Sequence, residues 1–300
     1  ADGVSRAKVR VSLRDAQGKA IGGVSVKLTS DLGRVEPSEV KSDANGIAEA
    51  ELISSTVGGV ANVVASAVYQ GVERVGSASV TMNPVVIRLS AGVGELRADG
   101  KSSTVITAVV SDSAGLPVAD GIEVRFSASE GSITGSSRTT NGVAVATYTA
   151  GKRAGVATIV AQVVSLGVSG TLDITLLPTE ANRVVLSSSS PRLIADGNDV
   201  VTITASVYDS SGNFAADGTI VCIRADGGTF GGVGTNVRQV HLATVGGFAR
   251  VDLRSEDAGV IVVEGFIDND RDGVADVGTA VGQVKVEAVG VGAGITVTVS

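Results

Sequence analysis

The chain has no tryptophan, and it has one cysteine (Cys222), one histidine (His241) and one methionine in 300 residues. Aromatic side chains make up only 3% of it. Each scarcity closes off a class of function. A lone cysteine rules out a disulfide within the chain, so its folded parts rest on packing alone. Without tryptophan, and with few other aromatics, a stacking platform for sugars or nucleobases is not expected. The net charge is −7 and no basic cluster occurs, so nucleic-acid binding lacks its electrostatic footprint. No apolar run reaches the roughly 18 residues that a membrane-spanning helix needs, so no membrane insertion is expected. No Asn-x-Ser/Thr site occurs, since Asn83 is followed by Pro84 and Val85.

What the chain does have is repetition. Ala-Asp-Gly occurs at Ala1, Ala98 and Ala195, at intervals of 97 residues. A second Asp follows in each copy, with Gly three residues later: Asp15/Gly18, Asp112/Gly115 and Asp209/Gly212. Then come an alternating segment (Gly23-VSVKL, Gly121-IEVRF, Gly218-TIVCI), a glycine-rich turn, and a tight turn into another alternating segment at Asn45-Gly46, Asn141-Gly142 and Gly246-Gly247. A final echo runs from Gly59, Gly155 and Gly259. A fixed period over nearly the whole chain means an array of one module.

Each module is close to ordinary domain size. Short alternating runs of Val, Ile and Thr, bounded by Gly, Asn and Asp, read as half-buried strands joined by turns. The expected fold is all-β: three tandem Ig-like β-sandwich domains. The expected boundaries are residues 1–83, 84–178 and 179–288, with 289–300 a linker and a C-terminal strand.

The order of these motifs resembles the bacterial Ig-like domain, group 1, of invasin- and intimin-type adhesins. That pattern is an Ala-Asp-Gly start, an alternating Thr/Val strand and an Asp-x-x-Gly-x-x-Val-x-Gly hairpin. STVITAVVSDSAGLPVADGIEVRF after Ala98-Asp99-Gly100 and VVTITASVYDSSGNFAADGTIVCI after Ala195-Asp196-Gly197 match it, and the first copy matches with one residue fewer. The resemblance covers all three modules. It implies a row of Ig-like sandwiches outside a bacterial cell, at its surface, with no enzymatic activity and with a cell-surface or host receptor as a partner class. A first residue other than Met fits a mature secreted chain.

One local motif points to a metal. Asp268-Asn269-Asp270-Arg271-Asp272-Gly273-Val274-Ala275-Asp276 reads D-x-D-x-D-G-x-x-D, with carboxylates at alternate positions and a glycine for the bend. Asp268, Asp270, Asp272 and Asp276 by carboxylate, and Val274 by carbonyl, are expected to hold a structural Ca2+. The twelfth position is Thr279 rather than a bidentate Glu, and the competing reading is a solvated acidic turn. Cys222 is out of phase with Val221 and is expected to point away from the main core, on a partly covered face. One Cys and one His do not make a zinc site unaided. The repeated Asp2, Asp99, Asp196, Asp15, Asp112 and Asp209 are expected to cap turns.

The two ends suggest assembly. A strand precedes the triplet in the second and third modules (Val85-VIRLS, Arg183-VVLS) but not in the first. Past Gln283-VKVEA, Ile295-Thr296-Val297-Thr298-Val299-Ser300 alternates like a spare first strand. The expectation is a fibre subunit that polymerises head to tail, Ile295, Val297 and Val299 entering domain 1 of the next copy. The alternative is a stalk fragment of an invasin- or intimin-like adhesin.

Overall fold

A computed structural model describes residues 1–292. Among them, the only helical element is one 3-10 turn, Val164–Leu166. All else is strand and turn, as the period-2 apolar pattern requires. The strands form six sheets.

The first pair of sheets uses β1 (Arg6–Ser12), β2 (Ser25–Ser30), β3 (Arg34–Glu36), β4 (Glu39–Lys41), β5 (Ile47–Ile53), β6 (Gly59–Tyr69) and β7 (Val72–Met82). Sheet β1-β5-β3 and sheet β4-β2-β6-β7 share a core of Val26, Leu28, Val35, Ala48, Leu52, Ala61 and Val63.

The second pair uses β8 (Val85–Ala91), β9 (Glu95–Arg97), β10 (Ser103–Asp112), β11 (Glu123–Ala128), β12 (Ser132–Ile133), β13 (Ser136–Arg138), β14 (Val143–Thr149), β15 (Gly155–Val163) and β16 (Val168–Leu177). Its orders are β12-β14-β10-β8 and β13-β11-β15-β16-β9.

The third pair uses β17 (Ala181–Ser188), β18 (Arg192–Ala195), β19 (Val201–Asp209), β20 (Ile220–Ala225), β21 (Gln239–Ala243), β22 (Phe248–Leu253), β23 (Gly259–Ile267) and β24 (Gly282–Gly290). Here β17-β19-β22 faces β18-β24-β23-β20-β21 across a core that includes Ile203, Val221, Ile223, Leu253, Val263 and Val286. One pairing in this sheet is parallel, β18 with β24, from Arg192 opposite Glu287 to Ala195 opposite Gly290.

The chain divides into two compact units, Ala1–Leu96 with Ser103–Thr149 and Val156–Ile174, and Arg97–Ser102 with Ala150–Gly155 and Thr175–Ser300. The first holds the first pair of sheets and most of the second; the other holds the third pair.

The triplet aspartates do the same job three times. Asp2 Oδ1 accepts from the N–H groups of Val4 and Ser5, Asp99 Oδ1 from Lys101 and Ser102, and Asp196 Oδ1 from Asn198 and Asp199. The second set repeats another turn: Asp15 Oδ1 takes Gln17 and Lys19, Asp112 takes Ala114 and Leu116, and Asp209 takes Ser211 and Asn213. The turn-capping expectation therefore holds for all six. A carboxylate that accepts two amide donors is stabilised in its charged form. The backbone N–H groups of Ser102 and Lys101 lower the Asp99 carboxyl to a pKa of about 2.

Candidate functional site

Two places depart from the repeat among the described residues. The first is an open edge. In the second and third sandwiches a strand lies beside the one that follows the triplet: β8 beside β10, and β17 beside β19. In the first, β1 pairs with β5 alone among the described residues. The burial follows. Ile106, Ala108 and Val110 of β10 and Ile203, Ala205 and Val207 of β19 are all 0% exposed, whereas Ala7, Val9 and Val11 of β1 are only partly buried.

A cleft of about 680 Å³ opens here, lined on one side by Val11 and Leu13 and on the other by Ala65, Ala67, Val75 and Gly76. Gly76 stands opposite Ala65 in the β6–β7 hairpin, as Gly282 stands opposite Gly265 in β23–β24. A Cβ on Gly282 would meet Val184 O at 2.6 Å, and one on Gly170 would meet Ile87 O at 3.2 Å, so in both places the first strand needs a glycine to pass. A Cβ on Gly76 would meet nothing within 4 Å.

The second departure is the loop between β23 and β24. The corresponding turn of the first sandwich is only Gln70-Gly71. Here residues 268–281 intervene, and Asp268 at their start is fully buried. Its Oδ2 accepts from His241 Nε2 (2.7 Å) and the Gly273 N–H (3.0 Å), and its Oδ1 from the Asp272 N–H (3.0 Å). Burial pushes this carboxyl's pKa up, but the bonds from His241, Gly273 and Asp272 outweigh it, and the net direction is down.

Of the five residues expected to hold calcium, carboxylate oxygens of Asp268, Asp270 and Asp276 come within 4.8 Å of one another. The Asp272 carboxylate does not join that group. Asp272 Oδ1 instead accepts the Val274 N–H at 2.7 Å, and Val274 itself is exposed. Asp276 Oδ2 takes Asn269 Nδ2 at 2.8 Å. The Asp272 N–H lowers the Asp270 carboxyl, but the bond to Asp268, burial and the charges of Asp272 and Asp268 raise it above the usual range.

Cys222 is also at this place. It lies outside the main core cluster, as its phase in β20 predicts, but its face is not partly covered: the residue is 0% exposed. The difference has a plain cause, since Phe266 and His241 stand opposite Cys222 on its two neighbouring strands and Asp268 follows Phe266. Cys222, His241 and Asp268 bring a sulfur, a nitrogen and an oxygen within 4.8 Å of one another. Sequence reasoning missed this trio, because strand register and not spacing assembles it. Burial, together with the Asp268 charge, pushes the Cys222 thiol up to about 11, which leaves it no use as a nucleophile. Ile295, Val297 and Val299 lie outside the described residues.

Sheets paired in this way, repeated with the same turn chemistry, define an array of Ig-like β-sandwiches. The chain belongs to the family of invasin domain 3, whose model matches residues 1–85 and again 83–179. It is 28% identical over 287 residues to the inverse autotransporter adhesin YeeJ of Escherichia coli (strain K12), an alignment that covers 90% of this chain and 12% of that protein. The chain thus spans about an eighth of that relative's length. Among solved structures it is similar to invasin, a bacterial integrin-binding protein (21% identity, TM-score 0.46, 97% of this chain and 58% of that one). It is also similar to InvD of Yersinia pseudotuberculosis (19% identity, TM-score 0.40, 89% and 90%). Adhesins of this kind are exposed at the bacterial surface, and so is this chain. Among the described residues no helix is long and apolar enough to cross a membrane.

Proposed function

We propose that the chain is a stalk segment of a longer, inverse-autotransporter-type adhesin: non-catalytic sandwiches that hold a receptor-binding portion away from the cell. The observation that carries this is the family match repeated along the chain at residues 1–85 and 83–179, together with a relative named as an adhesin that is many times longer. These relatives favour a stalk over a self-assembling fibre subunit. The test is exchange in the full-length protein. Replacing residues 1–300 with an unrelated array of equal length should preserve adhesion, while deleting them should reduce it. If the isolated chain binds host cells, or an equal-length replacement abolishes adhesion, the segment is a binding element and the stalk reading fails.

The open edge supports a second reading. Its cleft fits one extended strand laid beside β1. In this reading residues 295–300 of one copy enter the cleft of the next, with Ile295, Val297 and Val299 turned inward. Three aliphatic side chains at about 1.5–3 kcal/mol each would drive such an insertion, before the cost of association. Sedimentation of the full chain against one lacking residues 295–300 decides it: concentration-dependent growth must be present in the first and lost in the second. A chain that remains monomeric at high concentration excludes the fibre.

For the acidic loop the proposed ligand is a structural Ca2+ held by Asp268, Asp270 and Asp276. The approach of their carboxylate oxygens to within 4.8 Å of one another supports it, since convergent carboxylates favour a hard cation.

A further inference from the structure

We propose that Cys222, His241 and Asp268 form a binding site for a transition-metal dication of the zinc type, different in chemistry from the calcium-type loop with which it shares Asp268. The donor set is one sulfur, one imidazole nitrogen and one carboxylate oxygen, a combination that suits Zn2+ and its neighbours and not a hard cation. Two of the ligands come from one sheet, and the third opens the loop that follows one of its strands. Cys222 in β20 is directly opposite His241 in β21 and opposite Phe266 in β23 on its other side, and Asp268 follows two residues after Phe266. Strand pairing therefore sets the positions of Cys222 and His241, and Asp268 follows directly on the end of β23.

The distances are close to what a metal needs. Tetrahedral zinc, with bonds of about 2.0–2.3 Å, separates nitrogen and oxygen ligands by about 3.3 Å and nitrogen and sulfur by about 3.6 Å. The ligand atoms all lie within 4.8 Å of one another, and His241 Nε2 stands 2.7 Å from Asp268 Oδ2. A cation that takes the place of the shared proton has only to part that pair by about half an ångström and draw in the sulfur by an ångström or so. Cys222 and Asp268 are 0% exposed, while the His241 side chain is 21% exposed, which leaves one side open for entry and for a fourth ligand. Catalytic and exchangeable zinc sites keep such an opening.

The repeat supplies an internal control. At the same place in the first sandwich Lys27 pairs with Glu39, and in the second Arg125 pairs with Ser136; all four are exposed. Only the third sandwich has a thiol and an imidazole there, and it also has an inserted loop whose first carboxylate closes over them. A merely structural replacement of two exposed polar residues needs neither a sulfur nor a nitrogen ligand.

Co2+ titrated into the full chain under reducing conditions tests the site. The expected result is saturation at one equivalent, with a near-ultraviolet thiolate-to-cobalt charge-transfer band and the intense visible bands of a tetrahedral ion. Zn2+ should abolish both, and excess Ca2+ neither. Cys222→Ser should lose the charge-transfer band, and His241→Ala should weaken Co2+ binding by more than about tenfold. Asp270→Asn, which leaves the three ligands intact, should keep the band. Should Cys222→Ser misfold, the unmodified chain still decides: no saturable binding, or binding without the thiolate band, overturns the proposal. The second of those outcomes would leave only the carboxylate loop as a cation site.

Discussion

The first and third sandwiches share one pattern of turns but close their cores differently. In the third, β17 lies beside β19 and against β23 and β24, and Ile203 is 0% exposed. In the first, the equivalent β1 leaves Ala7, Val9 and Val11 only partly buried, and Val11 lines a cleft. The hairpins differ in the opposite sense. The first sandwich turns in Gln70-Gly71, and the third spends residues 268–281 on a loop anchored by a buried carboxylate. A shared chain pattern thus permits variation at one hairpin without touching the turns that define the fold.

Four measurements would break or sharpen this contrast. The largest effect is expected in the cores. Ile203→Ala should destabilise the third sandwich by about 2–5 kcal/mol in urea unfolding, because it leaves a closed cavity. Val11→Ala beside the cleft of the first sandwich should cost about 1 kcal/mol or less. Equal losses would mean that the cleft is filled in solution. Next is calcium: at a hundredfold excess over its dissociation constant it should stabilise the third sandwich by about 2.7 kcal/mol and the first not at all. Melting that is the same in chelator and in millimolar Ca2+ would make the loop an acidic turn.

The glycines come third. Gly282→Ala puts a Cβ 2.6 Å from Val184 O and should cost about 1–3 kcal/mol. Gly76→Ala meets open space and should be neutral or slightly stabilising. If Gly76→Ala is as harmful as Gly282→Ala, a strand occupies the cleft.

The smallest effect is in acid. Asp2 and Asp196 both have lowered pKa values. Burial opposes the shift at Asp2, but bonds from Ser5, Ser54 and Val4 carry it far below the usual range, whereas Asp196 has only backbone donors, first Asp199 and then Asn198. A depressed folded pKa contributes stability that is complete above the unfolded value of about 3.9 and is lost as pH falls through the folded value. The contribution of Asp196 should therefore vanish first, and that of Asp2 persist to lower pH. Unfolding midpoints of Asp2→Asn and Asp196→Asn compared between pH 5 and pH 2 would reveal it.

The turns were legible in the sequence because their chemistry is local: Asp99 needs only the N–H groups of Lys101 and Ser102. Strand faces were legible from alternation, and so was the phase of Cys222. What covers Cys222 was not, because His241 and Asp268 reach it through pairings of β20 with β21 and β23 that no spacing encodes. The motif at 268–276 suggested five ligands for one ion. In the fold its first carboxylate also turns inward to a histidine, and the Asp272 carboxylate accepts the Val274 N–H. The parallel pairing of short β18 with β24 was also invisible, since its four-residue length carries no period of its own.

That parallel pairing has a mechanical consequence. Strand β18 lies near the entry of the third sandwich and β24 at its exit, and they run in the same direction. A tether pulled at both ends drags them in opposite directions along their common axis. The bonds from Arg192–Ala195 to Glu287–Gly290 then share the load in shear and must fail together, whereas an antiparallel hairpin pulled at its open end would unzip one bond at a time. Pulled at its two ends, the third sandwich would therefore yield late and all at once.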